Sequence, residues 1–249
     1  MASETRRVVS AEADVAAIQR HLLPATLPRT PGYSFAAHYQ PCEAAGGDFY
    51  GFQSFDDGRL GFAIADVSGH GAAAAVMMAV LRAALSAFRV FGRMRESAPQ
   101  DVNAVVRDVN VPGIFVTAFF VSLDPPTGNL FCGNCGHPPG LLRRADGSVG
   151  ATCGESSLPI GIVDEVDPPT FLENLGPGDS LVLYTDGVTE SRSVAGVFFG
   201  EARLRACIAR ADGTADGILA EILGELTRHE VGVPRADDRC VVVCTRDGA

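Results

Sequence analysis

Four aspartates occupy positions where a chain folded into strands would bring carboxylates to strand ends. Asp48 follows Gly46-Gly47 and precedes an apolar run. Asp66 closes the run LGFAIAD and leads into Val-Ser-Gly-His-Gly. Asp186 closes LVLYTD and leads into Gly-Val-Thr-Glu, and the pair Asp237-Asp238 directly precedes RCVVVCT. Carboxylates gathered at one end of a sheet repel one another unless a cation lies between them. Hard divalent cations such as Mg2+ or Mn2+ take oxygen ligands and keep several waters. Two such ions roughly 4 Å apart can activate a water and clamp the oxygens of a phosphoryl group. Singly, an Asp-Gly after a strand is most often an ordinary turn, and Asp237-Asp238 can be read as a solvated strand start. The shared placement is what makes them a candidate site.

The elements that must position them follow from periodicity and turn residues. Val15, Ile18 and Leu22 predict a helix over 11–23, stopped by Pro24. Its apolar stripe needs a partner helix or the main domain to pack on. The segment LPATLPRTPG, with three prolines, reads as a linker. Residues 1–30 are therefore a helical lead-in and 31–247 one domain. Strands are expected at 34–40, 49–55, 60–66, 115–123, 129–135, 139–144, 181–185 and 240–245. Asp57-Gly58 is a hairpin turn between the second and third. Helices are expected at 71–91, 99–110, 201–211 and 215–229. Hairpin-linked strands with helices in blocks indicate an α+β layered fold rather than a doubly wound sheet.

Composition narrows the function. With 249 residues the chain can bury a substantial core. A formal net charge of −10 leaves no electrostatic footprint for nucleic acid, which also argues against a nuclease. An anionic substrate would need positive charge supplied at the site, by clustered arginine or by metal. The longest apolar run, Ala72 to Leu81, is about half a membrane span and ends at Arg82. The opening MASETRRVVS is polar and no apolar leader core follows it. Seven cysteines then read as reduced thiols of a cytoplasmic protein with no membrane partner. Cys132-x-x-Cys135 has no second pair and falls within a strand, so it reads as small core side chains rather than a zinc or redox site, as do Cys240 and Cys244.

The strings AAGGDFYGF, IADVSGHG, FVTAFF, CGNCGHPPGLL, LPIG, LGPGDSLVLYTDGVTES and DDRCVVV occur in this order. Together they resemble the SpoIIE/RsbU branch of the PPM-type (phosphatase 2C-like) serine/threonine phosphatases, over about residues 17–245. IQRHLLP resembles the helical lead-in common before such domains. The resemblance implies two stacked antiparallel β-sheets flanked by helices, an αββα sandwich. It implies two Mn2+ or Mg2+ ions, with Asp66 bridging both, Asp48 and the Val67 carbonyl on one, and Asp186 and Asp237 on the other. A metal-bridging water would attack phosphorus directly, without a phosphoenzyme. The family's last motif commonly reads Asp-Asp-x-Thr. Its first Asp is taken as the ligand, with Asp238 the alternative, and Cys240 stands where Thr is usual.

By the same resemblance the substrate is a phosphoserine or phosphothreonine protein, a STAS-type anti-sigma-factor antagonist in a bacterial partner-switching pathway. A homodimer through the N-terminal helix is a further implication. His70 is assigned to the backbone path between its flanking glycines rather than to acid catalysis, and His137 to a hydrogen-bonded turn. The competing reading is a catalytically weak interaction module of the same fold with a vestigial acidic site.

Overall fold

The computed structural model describes residues 2–90, 98–109 and 111–248; the expected helix ends at Phe91 and Asn110 lie outside them. In chain order the elements are α1 (Ala2–Leu22), β1 (Tyr33–Gln40), β2 (Phe49–Ser54), β3 (Leu60–Val67), α2 (Gly71–Val90), α3 (Ala98–Val109), β4 (Val116–Asp124), β5 (Asn129–Cys135), β6 (Gly140–Arg143), β7 (Val149–Thr152), β8 (Thr170–Asn174), β9 (Ser180–Tyr184), α4 (Asp186–Thr189), α5 (Gly200–Arg210), α6 (Ala215–His229) and β10 (Arg239–Arg246). One sheet has the order β1-β10-β9-β6-β7 and the other β2-β3-β4-β5-β8, and every strand pair is antiparallel.

The two-residue period of each strand sends alternate side chains to opposite faces. Phe62, Ile64, Phe119, Val121, Leu183, Val242 and Cys244 point into a core between the sheets. Ala63, Ala65, Val67, Ala118 and Phe120, on the other face of their sheet, pack under α2 and α3. Leu141, Val182, Val241 and Val243 pack under α5 and α6. Alanines at 74, 75 and 84 let α2 lie close, and Met77, Met78 and Leu81 fill its buried face. The layers are thus helix, sheet, sheet, helix.

The alternation also separates the two cysteines of the CxxC string. Three residues apart on β5, Cys132 joins the inter-sheet core while Cys135 lies under α2 and α3. Cys240 and Cys244 share the inter-sheet face.

Two strands, β7 and β8, and the one-turn helix α4 are additions to the elements expected from sequence. β7 and β8 are short edge strands with exposed positions, so neither carries a sustained apolar pattern. α1 starts earlier than the apolar stripe suggests, and it docks on the domain through a different mixture of residues. Ala16 and Gln19 are buried, Val15 and Leu22 pack beside them, and Ile18 is 62% exposed. Among the described residues no helix is long and apolar enough to cross a membrane.

Candidate active site

Both sheets deliver their acidic strand ends to the same place. Asp48 lies one residue before β2, whose first residue Phe49 pairs with Ala65, so Asp48 emerges beside Asp66 near the end of β3. Asp186 follows β9, and Asp237-Asp238 precede β10, the neighbouring strand. Each sheet therefore supplies one hairpin-like pair of carboxylates.

A hydroxyl joins the two sheets here. Thr185 donates from Oγ1 to Asp48 Oδ2 at 2.7 Å and accepts from the Cys240 N–H at 2.9 Å. It occupies the N-cap position of α4 but makes no side-chain cap bond, because its oxygen is committed to Asp48 and Cys240. Asp48 is fully buried, and its other oxygen, Oδ1, has no hydrogen-bond partner among the described residues.

Asp238 differs from its neighbour. It is 2% exposed, and its two oxygens accept from the backbone N–H groups of Cys42 at 2.8 Å and Gly47 at 2.6 Å. The carboxylate thereby holds the loop that carries Asp48. Gly46 and Gly187 both lie against Asp238, and a Cβ on either would overlap it, which accounts for the glycines beside Asp48 and Asp186. Asp237 is exposed, and its Oδ1 accepts only from the Asp238 N–H.

The loop has a second anchor in α1. Gln19 donates from Nε2 to the Gly46 carbonyl at 2.5 Å and accepts the Gly46 N–H at Oε1 at 3.0 Å. Sequence reasoning missed this residue and Thr185. A signal existed for Gln19, which lies four residues after Val15 and three before Leu22, on the stripe itself.

Electrostatically the carboxylates form one group. Burial first, then Asp66, pushes Asp48 well above the usual carboxylate range. Burial, Asp186, Asp237 and Asp238 push Asp66 up to about 8. Asp186 is raised by burial, Asp237 and Glu190; Asp237, exposed at its outer edge, is raised chiefly by the partial desolvation of its inner side. Unpartnered oxygen, mutual repulsion and an all-oxygen donor set suit a hard divalent cation. Among the described residues no three such side chains are drawn together tightly enough to enclose an ion, so the donors are gathered without forming a coordination sphere.

The histidines are accounted for elsewhere. His70 pairs with Glu43 at 2.9 Å, both exposed, between Gly69 and Gly71 at φ 88° and 74°. His137 is buried and held by Asn134, which accepts its backbone N–H and donates to its carbonyl. Its Nδ1 meets Thr117 Oγ1 at 2.9 Å, and burial pushes the ring down to about 3. Thr117 is the cross-strand partner of Asp66.

Comparison with known proteins agrees with this architecture. The family described as Stage II sporulation protein E (SpoIIE) matches residues 56–247, a stretch that begins after Asp48. Protein IcfG of Synechocystis is 27% identical over 92% of this chain and 40% of its own length. Phosphoserine phosphatase RsbU of Bacillus subtilis is 28% identical over 76% of this chain and 56% of its own. The chain thus spans about half the length of these relatives. Among solved structures, the SiaA-PP2C domain of Pseudomonas aeruginosa superposes with a TM-score of 0.83 at 21% identity, covering 99% of this chain and 100% of that one. The RsbU and RsbW domains of Rv1364c from Mycobacterium tuberculosis give 0.77 at 28% identity, covering 91% and 63%. The chain belongs to the SpoIIE family, within the SpoIIE/RsbU branch of the PPM phosphatases, and has their two-sheet fold.

Proposed function

We infer that the chain is a metal-dependent phosphatase acting on phosphoserine or phosphothreonine in a protein. The observation that carries this reading is the group of four aspartates at converging strand ends, with Asp66 held at about 8 and Asp48 Oδ1 lacking a partner among the described residues. Asp48, Asp66, the Val67 carbonyl, Asp186 and Asp237 would hold two Mn2+ or Mg2+ ions. Asp237 is preferred to Asp238 because the latter's oxygens are occupied by two N–H groups. When bound, the ions would supply an activated water and positive charge for the phosphoryl oxygens.

The chain's own residues set the stage for that chemistry. Thr185 orients Asp48, Asp238 fixes the approach of its loop, and Gln19 fastens the same loop from α1. Carboxylates with raised affinity for protons release them when a cation binds, so occupancy rises with pH.

The named activity of the relatives, phosphoserine phosphatase, supports a phosphoserine substrate; a phosphoprotein of the STAS-type anti-sigma-factor antagonist class is the finer proposal. A cytoplasmic location and self-association through the exposed part of α1 belong to the same reading. Sedimentation of a chain lacking residues 1–24 tests the latter, an unchanged oligomeric state counting against it. The function is tested by phosphate release from p-nitrophenyl phosphate and from a phosphoserine protein, with Mn2+ and with chelator. Mn2+-dependent release from both is expected. No release from either, with Mn2+ bound, would favour the interaction-module reading.

A further inference from the structure

Beside Asp237 a crevice of about 160 Å³ opens between residues 187–198 and 230–239. Its lining includes Arg192, Arg235 and Arg239. In a chain of net charge −10, three guanidinium groups balance the three acids Glu190, Glu230 and Asp237 of the same lining, so the crevice is locally neutral rather than acidic. The arginines differ in role. Arg239 is 4% exposed and tied through Nη2 to Glu230 and Ser191 Oγ, so it forms a fixed wall. Arg192 and Arg235 are exposed and have no carboxylate partner among the described residues. Arg192 is held instead by its stacking on the Phe198 ring, 4.1 Å from the centroid. Arg59, Arg107, Arg144, Arg205, Arg210 and Arg228 each pair with an acid, whereas Arg20, Arg29, Arg82, Arg143, Arg203 and Arg246, like Arg192 and Arg235, do not among the described residues; what sets Arg192 and Arg235 apart is their place on one crevice.

Of the acids on the crevice wall, Glu230 is paired with Arg239, while Glu190 and Asp237 lie toward the carboxylate group of the site, where bound cations would offset them. Around the rim, Val194 is 78% and Val231 67% exposed, with Val197 and Phe198 about half exposed. The two bounding segments are tied together by His229, whose Nε2 lies 3.0 Å from the Val197 carbonyl oxygen and whose ring meets Phe199 edge-on. A supported crevice with two arginines lacking acid partners among the described residues and an apolar rim, beside the candidate metal ligand Asp237, has the anatomy of a docking surface.

We propose that this crevice receives the segment of the phosphoprotein flanking the phosphoresidue, seating an acidic side chain between Arg192 and Arg235 and apolar side chains on the valine and phenylalanine rim. The proposal rests on the phosphatase reading above and adds the sequence preference of the substrate. An acidic flank is chosen because arginines left without acids attract carboxylate, and because such pairing steers an otherwise repelled phosphoprotein to an acidic enzyme.

The test uses short phosphoserine peptides identical except for Glu, Gln or Lys on either side of the phosphoserine. Turnover with Mn2+ and binding by fluorescence anisotropy are both read, for the parent chain and for the Arg192→Glu/Arg235→Glu variant. The parent is expected to favour the Glu peptide over Gln by on the order of tenfold, less at high salt. The variant should lose that ratio and favour Lys. Ratios within one protein cancel any loss of folded material. A parent ratio of one, or the same ratio in the variant, overturns the proposal. A Glu preference in binding without phosphate release would uphold the docking surface and sink the phosphatase reading, and turnover without preference does the reverse.

Discussion

Replacing Asp238 and Asp237 separately by asparagine should produce two different defects. Asp238 is buried and accepts two backbone N–H groups, at 2.8 Å from Cys42 and 2.6 Å from Gly47. A hydrogen bond to a charged group contributes about 1.5–3 kcal/mol, and an N–H left buried without a partner costs about 1–3 kcal/mol. Asp238→Asn keeps one acceptor and turns an amide NH2 toward the other N–H. Part of that loss is offset, because Asp238 is among the charges that repel Asp66. The net cost is about 3 kcal/mol, which for a chain of this size lowers Tm by roughly 6–12 °C. Asp237 is exposed and accepts one N–H, which an asparagine oxygen can still accept. Asp237→Asn should therefore leave metal-free stability within about 1 kcal/mol of the parent. It should weaken Mn2+ binding by on the order of tenfold or more. Thermal melts in chelator and titration calorimetry with Mn2+ separate the two. A stable Asp238→Asn with lost metal binding, beside a destabilised Asp237→Asn, would refute the assignment.

Three further outcomes are expected. Asp66 has its pKa raised from 3.8 to about 8 by burial and by Asp186, Asp237 and Asp238. The folded chain then binds more protons than the unfolded one across that window, so metal-free stability falls as pH rises from about 4 to 8, by at most roughly 6 kcal/mol. Melts in chelator should show Tm falling toward pH 8 and recovering on Mn2+ addition; a Tm that rises over this range contradicts it. Thr185→Val removes the hydrogen bond to Asp48 Oδ2 and orphans the Cys240 N–H, costing about 2–4 kcal/mol. Its Mn2+ affinity at neutral pH should drop and partly recover in alkali, a pH shift that calorimetry reads. Gln19→Ala strips both buried bonds from Gly46, at a cost of about 2 kcal/mol, and should speed proteolysis in the 23–32 linker, whereas Ile18→Glu should not.

Much of this architecture was legible in the chain because its signals are local. Asp57-Gly58 marks the β2–β3 hairpin, and the apolar run LGFAIAD marks β3 itself. The acidic strand ends stand out for the same reason: an apolar run that stops at Asp-Gly is visible within six residues. What stayed hidden depends on partners far apart in sequence. Asp238 reaches Gly47 across 191 residues and Thr185 reaches Asp48 across 137, so neither pairing leaves a pattern in either segment. The α1 stripe divides: Val15 and Leu22 meet the domain, and Ile18 faces solvent. Helical spacing groups residues by face but does not say which edge of that face is covered. β7 and β8 escaped because edge strands need no continuous apolar face.

The phosphatase function depends on where metal binds. Crystals grown with Mn2+ and measured at its absorption edge should show two anomalous peaks among Asp48, Asp66, Asp186 and Asp237, with Asp238 still on the Cys42 and Gly47 N–H groups. Peaks elsewhere, or none while Mn2+-dependent phosphate release persists, would contradict it.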